Sequence, residues 1–212
     1  MTLGEIVTRH PSLAPDLERL GLDYCCHGDR TLAAATAEAG LQLQTVVAGL
    51  SAIRIDEPQA AWASLGPVEL VDHIESVHHR YLWAELPRIA ALVDKIVGVH
   101  GGRHPELAEV QRLYTELHAD LEPHLRSEEN DVFPLIRQHS APESKSDEVD
   151  EQITALLGEH EIVGSLLEDL RRVTAGYVPP PDACASYTAC YHALEALEAD
   201  THLHVHKENN VL

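Results

Sequence analysis

Two seven-residue phrases in this chain carry the same chemistry at the same spacing. One is His124-Leu125-Arg126-Ser127-Glu128-Glu129-Asn130; the other is His204-Val205-His206-Lys207-Glu208-Asn209-Asn210. Residues four apart in a helix share a face, so each phrase aims one imidazole and one carboxylate at a single point. Imidazole nitrogen with carboxylate oxygen suits iron, manganese or zinc, and a carboxylate can bridge two ions. A single His-x3-Glu pair is ordinary on a solvated helix face. Two copies with matching asparagines, each set in an apolar helical pattern, point to a metal held inside a helical bundle.

The elements that must position these faces are set by the punctuation of the chain, which divides near residues 56–66. Before that point Pro11, Pro15, Gly21, Gly28 and Gly40 cut the apolar pattern into pieces of two or three turns. Thr31 caps a helix over Leu32–Ala39, and Leu41–Ile53 reads as another short one. A linker around Asp56-Glu57-Pro58 leads to four longer helical segments. They run from about Pro67 to His100, Pro105 to His139, Val149 to Ala175, and Ala183 towards the C-terminus. Gly101-Gly102 stops the first, and Gly176 with Pro179-Pro180-Pro181 stops the third. No strand-period run competes. The chain reads as all-α: a small helical N-terminal domain, 1–56, then an up-down-up-down four-helix bundle, 66–212.

In an antiparallel bundle, residues lie level when they stand equally far from the turn joining their helices. His79 and His124 each stand roughly 20 residues from the first turn, and the arms of the other neighbouring pairs differ by roughly one or two turns. One imidazole per helix, His79, His124, His160 and His204, therefore converges with Glu128 and Glu208. That set suits two metal ions, each taking two histidines, with both carboxylates bridging and positions left open. His100 falls about 30 Å from His79 along one helix, so it reads as a residue of the helix end and not a ligand. His78 points about 100° away from His79 and reads as surface or packing. His202 and His206 flank His204 on a different face, and His10, His118, His139 and His192 read as surface histidines.

Composition narrows the function classes. With 35 acidic against 15 basic residues, the formal charge of −20 argues against binding a phosphate backbone. Its plain consequence is solubility. The start, Met1-Thr2-Leu3-Gly4-Glu5-Ile6, lacks a basic region followed by an apolar run, so no signal peptide is expected. No uncharged stretch approaches the length of a membrane span. Four cysteines in a chain of this kind suit a reducing compartment, and the cytoplasm is the expected location. Vicinal Cys25-Cys26 could close a disulfide only with strain, so two free thiols are expected, while Cys184 and Cys190 read as packing residues.

Taken together, these residues resemble a known family. His79, His124-x3-Glu128, His160 and His204-x3-Glu208 in a bundle look like a hemerythrin-like domain. Asp23-Tyr24-Cys25-Cys26-His27-Gly28, followed by Thr31-Leu32, resembles the Asp-Tyr-Cys-Cys-x-Gly motif of the ScdA-type N-terminal domain. Both in this order resemble the iron–sulfur cluster repair di-iron proteins of the YtfE/ScdA type. The resemblance implies two non-haem iron ions, bridged by an oxo or hydroxo group, on His79, His124, Glu128, His160, His204 and Glu208. It places the functional thiols on Cys25 and Cys26. It implies restoration of clusters in damaged iron–sulfur proteins after nitrosative or oxidative stress, by supplying iron or by handling nitric oxide, with nitric oxide reduction a candidate activity. Cys25 and Cys26 would then approach the open end of the metal layer, within one chain or across a homodimer.

The chain also departs from that pattern. His27 stands where the family usually has glycine, and an imidazole beside two thiols can lower their pKa or add a ligand. Pro123 removes a helical hydrogen bond next to His124 and is expected to tilt it. The family motif usually runs on into Phe-Pro, as Phe133-Pro134 do after the first phrase. The second phrase is succeeded only by Val211-Leu212, so the turn carrying Glu208 is expected to fray. Asp120 and Glu159 lie beside ligands, where they could line a route for iron or protons or simply be solvated. Other function classes fit less well: a carrier or sensor of dioxygen or nitric oxide would favour five histidines, a ferritin-like oxidase needs Glu-x2-His spacing, and zinc hydrolases need fewer ligands.

Overall fold

Apolar residues at Leu82, Leu86, Ile89, Val93 and Ile96 recur every three or four positions, which on a helix makes one continuous stripe. In the computed structural model of the chain, which describes residues 1–52, 61–139 and 147–212, that stripe is buried. The helices are α1 (Leu3–Arg9), α2 (Ala14–Arg19), α3 (Leu32–Glu38), α4 (Leu43–Ala52), α5 (Pro67–Ile74), α6 (Arg80–His100), α7 (Leu107–Ser127), α8 (Phe133–His139), α9 (Asp147–Val173) and α10 (Ala185–Asn210). Two π-helical turns, Glu75–His79 and Glu128–Val132, join α5 to α6 and α7 to α8. Each expected long segment is thus present, the first two as pairs of helices welded through a π turn. Among the described residues there is no strand, only an isolated bridge between Thr2 and Thr31. The fold is all-α.

The chain forms two compact units. One comprises Ile74–Thr201, the other Met1–His73 with His202–Leu212. In the first, α6, α7, α9 and the leading part of α10 share one core, with Leu117 and Leu121 of α7, Val163 and Leu167 of α9, and Tyr187, Leu194 and Leu197 of α10 against the α6 stripe. Burying each such side chain stabilises by about 1.5–3 kcal/mol before conformational entropy is counted. The direction of the helices is readable from their connections. His104 Nε2 lies 3.0 Å from Asp182 Oδ1, and His100 Nε2 lies 3.1 Å from Cys184 Sγ. The α6–α7 turn and the α9–α10 connection therefore meet at one end, towards which α6 and α9 run and from which α7 and α10 depart.

The second unit starts on a capping box, in which Thr2 Oγ1 accepts from Glu5 N–H and Glu5 accepts from Thr2 N–H. Thr31 caps α3 as expected, accepting from Ala34 N–H. Leu3, Val7, Leu17, Leu22 and Tyr24 make a small core, and Val205 from the end of α10 joins it. The end of α10 does not fray: the helix runs to Asn210, and the Lys207 carbonyl accepts from both Val211 and Leu212 N–H. Of the expected linker, 56–66, residues 56–60 lie outside the described set, and Ala61–Ser64 form a single 3-10 turn.

Asn210 has a second task in this unit. Its Nδ2 donates to the Cys25 carbonyl at 3.0 Å, and its side chain lies against Gly4 and Gly28. A Cβ on Gly28 would overlap Asn210 Oδ1 and come within 2.6 Å of the Tyr24 carbonyl oxygen. The motif glycine is required by this close approach, not by an unusual φ. Gly28→Ala is expected to destabilise by about 1–3 kcal/mol through overpacking. Gly98→Ala, inside α6 with open space around it, should stabilise by up to about 1 kcal/mol. Denaturant unfolding of the two variants checks the contrast.

Candidate metal centre

The π turns fall where the site residues are. Glu75–His79 ends on His79, and Glu128–Val132 begins on Glu128. A π turn admits one extra residue and rotates the remainder of the helix, a device common at functional sites. Here it lets two adjacent histidines both turn inward. His79 faces the centre, and His78, expected at the surface or in packing, is buried with Nδ1 2.9 Å from Asp200 Oδ1. α7 runs unbroken through Pro123, so the missing hydrogen bond leaves His124 in helical register.

Glu128 sits between two imidazoles. Its Oε2 lies 3.3 Å from His79 Nε2 and 3.3 Å from His124 Nε2, and it accepts no hydrogen bond. His160 Nε2 lies 3.2 Å from His124 Nε2. All four residues are buried, and the Phe133 ring lies 5.3 Å from that of His79. The far nitrogens are held by carboxylates: His79 Nδ1 is 3.0 Å from Glu129 Oε1, and His124 Nδ1 is 2.7 Å from Glu159 Oε2. Trp83 Nε1–H also donates to Glu129 Oε1, at 2.7 Å. With Nδ1–H donating to a carboxylate, each Nε2 presents its lone pair to Glu128.

Lone pairs and a buried carboxylate facing one another repel unless a proton or a metal ion lies between them. Donor atoms about 2.1 Å from a shared ion, at angles of about 90–110°, stand about 3.0–3.4 Å apart. The observed separations match that spacing, so the residues fit a transition-metal ion.

The second phrase forms its own pair. His204 Nε2 lies 2.8 Å from Glu208 Oε1, with both side chains almost wholly buried. The flanking histidines hold the N-terminal helices and not an ion. His202 Nδ1 meets Glu18 at 3.1 Å, and His206 Nε2 meets Thr8 Oγ1 at 3.1 Å. Burial pushes the His206 imidazole down to about 4.

The asparagines that made the phrases look alike do different work. Asn130 Nδ2 donates to the Arg126 carbonyl one turn back. Asn209 and Asn210 both donate to the Cys25 carbonyl. Glu129, which orients His79, has Asn209 as its counterpart. Glu129 and Trp83 were missed from sequence; the doubled glutamate of the first phrase was the available signal.

No disulfide joins Cys25 and Cys26, whose Sγ atoms are 3.8 Å apart. His27 Nδ1 is engaged with Asp23 Oδ2 at 2.6 Å and not with a thiol. The Cys26 thiol, burial and the Asp23 charge, in that order, hold the Cys25 thiol well above the usual range. Burial alone would raise Asp23, yet hydrogen bonds from His27 and the Cys26 N–H keep its carboxyl below the usual range.

Of the other cysteines, Cys190 packs in the core as expected, and burial pushes it up to about 12. Cys184 departs from its expected packing role. It is exposed at the start of α10, pairs with His100, and is lowered chiefly by the Tyr187 N–H. His100 does close the end of α6, away from the centre. Asp120 is exposed, and Glu159 holds His124 rather than being merely solvated.

Comparison with known proteins assigns the family. The model of the hemerythrin HHE cation binding domain matches residues 70–212, and that of ScdA_N, a domain of unknown function, matches residues 1–54. The iron-sulfur cluster repair protein ScdA of Staphylococcus haemolyticus is 32% identical over 211 residues, covering 99% of this chain and 95% of that protein. The iron-sulfur cluster repair proteins YtfE of Escherichia coli O17:K52:H18 and Shigella boydii serotype 4 are each 30% identical, over 99% of this chain and 93% of theirs. The chain belongs to the ScdA/YtfE family. The cation-binding domain and the histidine–glutamate cluster together assign it binding of iron or a related metal ion.

Two outcomes are expected for the side chains around the centre and for the thiols. Glu129→Gln and Glu159→Gln should each weaken metal binding by about 10–100-fold in chelator competition, with Asp120→Asn unchanged. A lowered pKa puts Cys184 into its thiolate form at lower pH than Cys25 or Cys190, both of which are raised. Iodoacetamide should therefore label Cys184 before those two, as read by peptide mass spectrometry.

Proposed function

We propose that this chain repairs iron–sulfur clusters damaged by nitrosative or oxidative stress, using a centre of two iron ions. The observation that carries the reading is the buried Glu128 Oε2, which accepts no hydrogen bond and lies level with the Nε2 atoms of His79 and His124. The names of the relatives favour repair over dioxygen carriage. Under this reading His79, His124, Glu128, His160, His204 and Glu208 would hold the metal. Bound iron supplies an exchangeable, redox-active ion with affinity for nitric oxide. Glu129 and Glu159 fix the imidazole tautomers, and the apolar wall at Phe133 limits water.

The thiols of Cys25 and Cys26 receive or pass the iron, and residues 1–56 and 66–212 act as the two cooperating domains, in one chain or across a homodimer. On this reading the place of work is the cytoplasm; no helix among the described residues is long and apolar enough to cross a membrane.

Metal analysis coupled to a recovery assay tests the reading. The purified chain should hold two irons and restore activity to a hydro-lyase whose [4Fe–4S] cluster has been damaged by nitric oxide. Glu128→Ala with Glu208→Ala should lose the iron, the recovery and part of the thermal stability, since metal binding adds to folding free energy. His100→Ala should leave the iron content unchanged. Replacing Cys25 and Cys26 by serine should keep the iron and lose the recovery. Two irons retained in the double Glu variant would overturn the ligand assignment, and full recovery by the double Ser protein would remove the thiols from the reaction.

A further inference from the structure

The loop that carries the paired cysteines holds a third ligand-bearing side chain at the same point. Asp23 Oδ1 lies 3.2 Å from Cys25 Sγ, and Cys25 Sγ lies 3.8 Å from Cys26 Sγ. The three donor atoms all fall within 4.8 Å of one another. Two thiolates about 2.3 Å from one tetrahedral ion stand about 3.8 Å apart, and a carboxylate oxygen beside them stands about 3.1–3.6 Å from either sulfur. The Cys25–Cys26 and Asp23–Cys25 distances are those spacings. A strained vicinal disulfide would need the sulfurs about 2.0 Å apart.

We propose that Asp23, Cys25 and Cys26 form a mononuclear site for one divalent ion of the iron–zinc class, using none of the histidine–glutamate residues. Two sulfurs and one oxygen suit borderline ions, and a fourth position faces solvent, because Asp23 is exposed and Cys26 half-buried. Such an open position leaves room for water or for a ligand atom from a partner. On binding, each S–H bond breaks with its electron pair left on sulfur, two sulfur–metal bonds form, and two protons leave to solvent. The Cys25 S–H now points at Asp23 Oδ1, so the ion takes the place of that proton.

The surroundings hold the three donors ready. Asp23 Oδ1 accepts the N–H groups of Cys25 and Cys26 at 3.0 and 2.9 Å, and Asp23 Oδ2 is fixed by His27 Nδ1. The Cys25 carbonyl is pinned by Asn209 and Asn210, which prevents the loop from turning its thiols apart.

Cobalt(II) titration of the full chain under reducing conditions tests the site apart from any repair activity, so failure of the repair reading leaves it standing and its own failure leaves the histidine–glutamate centre untouched. Cobalt held by imidazole and carboxylate gives weak visible bands, whereas thiolate ligands give an intense near-ultraviolet charge-transfer band. That band should saturate at one thiolate-bound cobalt per chain. It should vanish when Cys25 and Cys26 are replaced by serine and persist in Cys184→Ser. Asp23→Asn keeps an acceptor for both loop N–H groups, so the loop should fold while affinity falls about 10-fold or more, as for loss of a ligand or its support. Unchanged circular dichroism and unchanged iron on the histidine–glutamate centre verify that each variant is folded. No thiolate band in the wild type, a band surviving the double Ser change, or equal affinity in Asp23→Asn would overturn the proposal.

Discussion

The buried carboxylate of Glu128 sets the terms for everything around it. A buried carboxylate oxygen that accepts no hydrogen bond costs stability when charged, and a cation beside it offsets that cost. With Nδ1 of His79 and His124 held by Glu129 and Glu159, both Nε2 atoms are left facing the Glu128 carboxylate as donors to a shared ion. The bundle therefore stores a need for metal in its core. The Trp83–Glu129–His79 chain and the Glu159–His124 contact hold that need in a fixed geometry.

Two phrases that share His-x3-Glu spacing and a final asparagine were put to unequal use. In the first, the residue after Glu128 is Glu129, which turns back to orient an imidazole. In the second, Asn209 occupies that place, and with Asn210 it holds the Cys25 carbonyl. The helix end that bears the His204–Glu208 pair thus doubles as the anchor for the thiol loop. Gly28 is the steric condition for that anchor, since its missing side chain makes room for Asn210. The spacing Cys-Cys-x-Gly and the asparagines near the end of the chain belong to one local structure. His202 and His206 have a similar anchoring role, contacting Glu18, Thr8 and Tyr24, which accounts for the histidine density of this stretch without assigning every imidazole to an ion.

The sequence by itself determined the all-α class, the four long segments and the meeting of His79, His124 and His160 around Glu128, because a 3.6-residue period and helix-stopping glycines and prolines are local properties. Helix rise alone separated His100 from His79, and the structure places His100 at the end of α6. What was hidden depended on neighbours distant in sequence. The π turn that buries both His78 and His79 has no local signature, and it changes a face assignment that a uniform helix would fix. Glu159 could be read equally as a solvated acid or a functional one until packing brought it to His124 Nδ1. Cys184 looked like a small apolar residue of α10; only the return of α6 placed His100 against its exposed thiol. His27 offered an imidazole to the thiols, and the loop gave it to Asp23. Periodicity encodes which face a residue occupies, whereas hydrogen-bond partners are chosen by tertiary approach, and at this site the partners decide what each side chain can do.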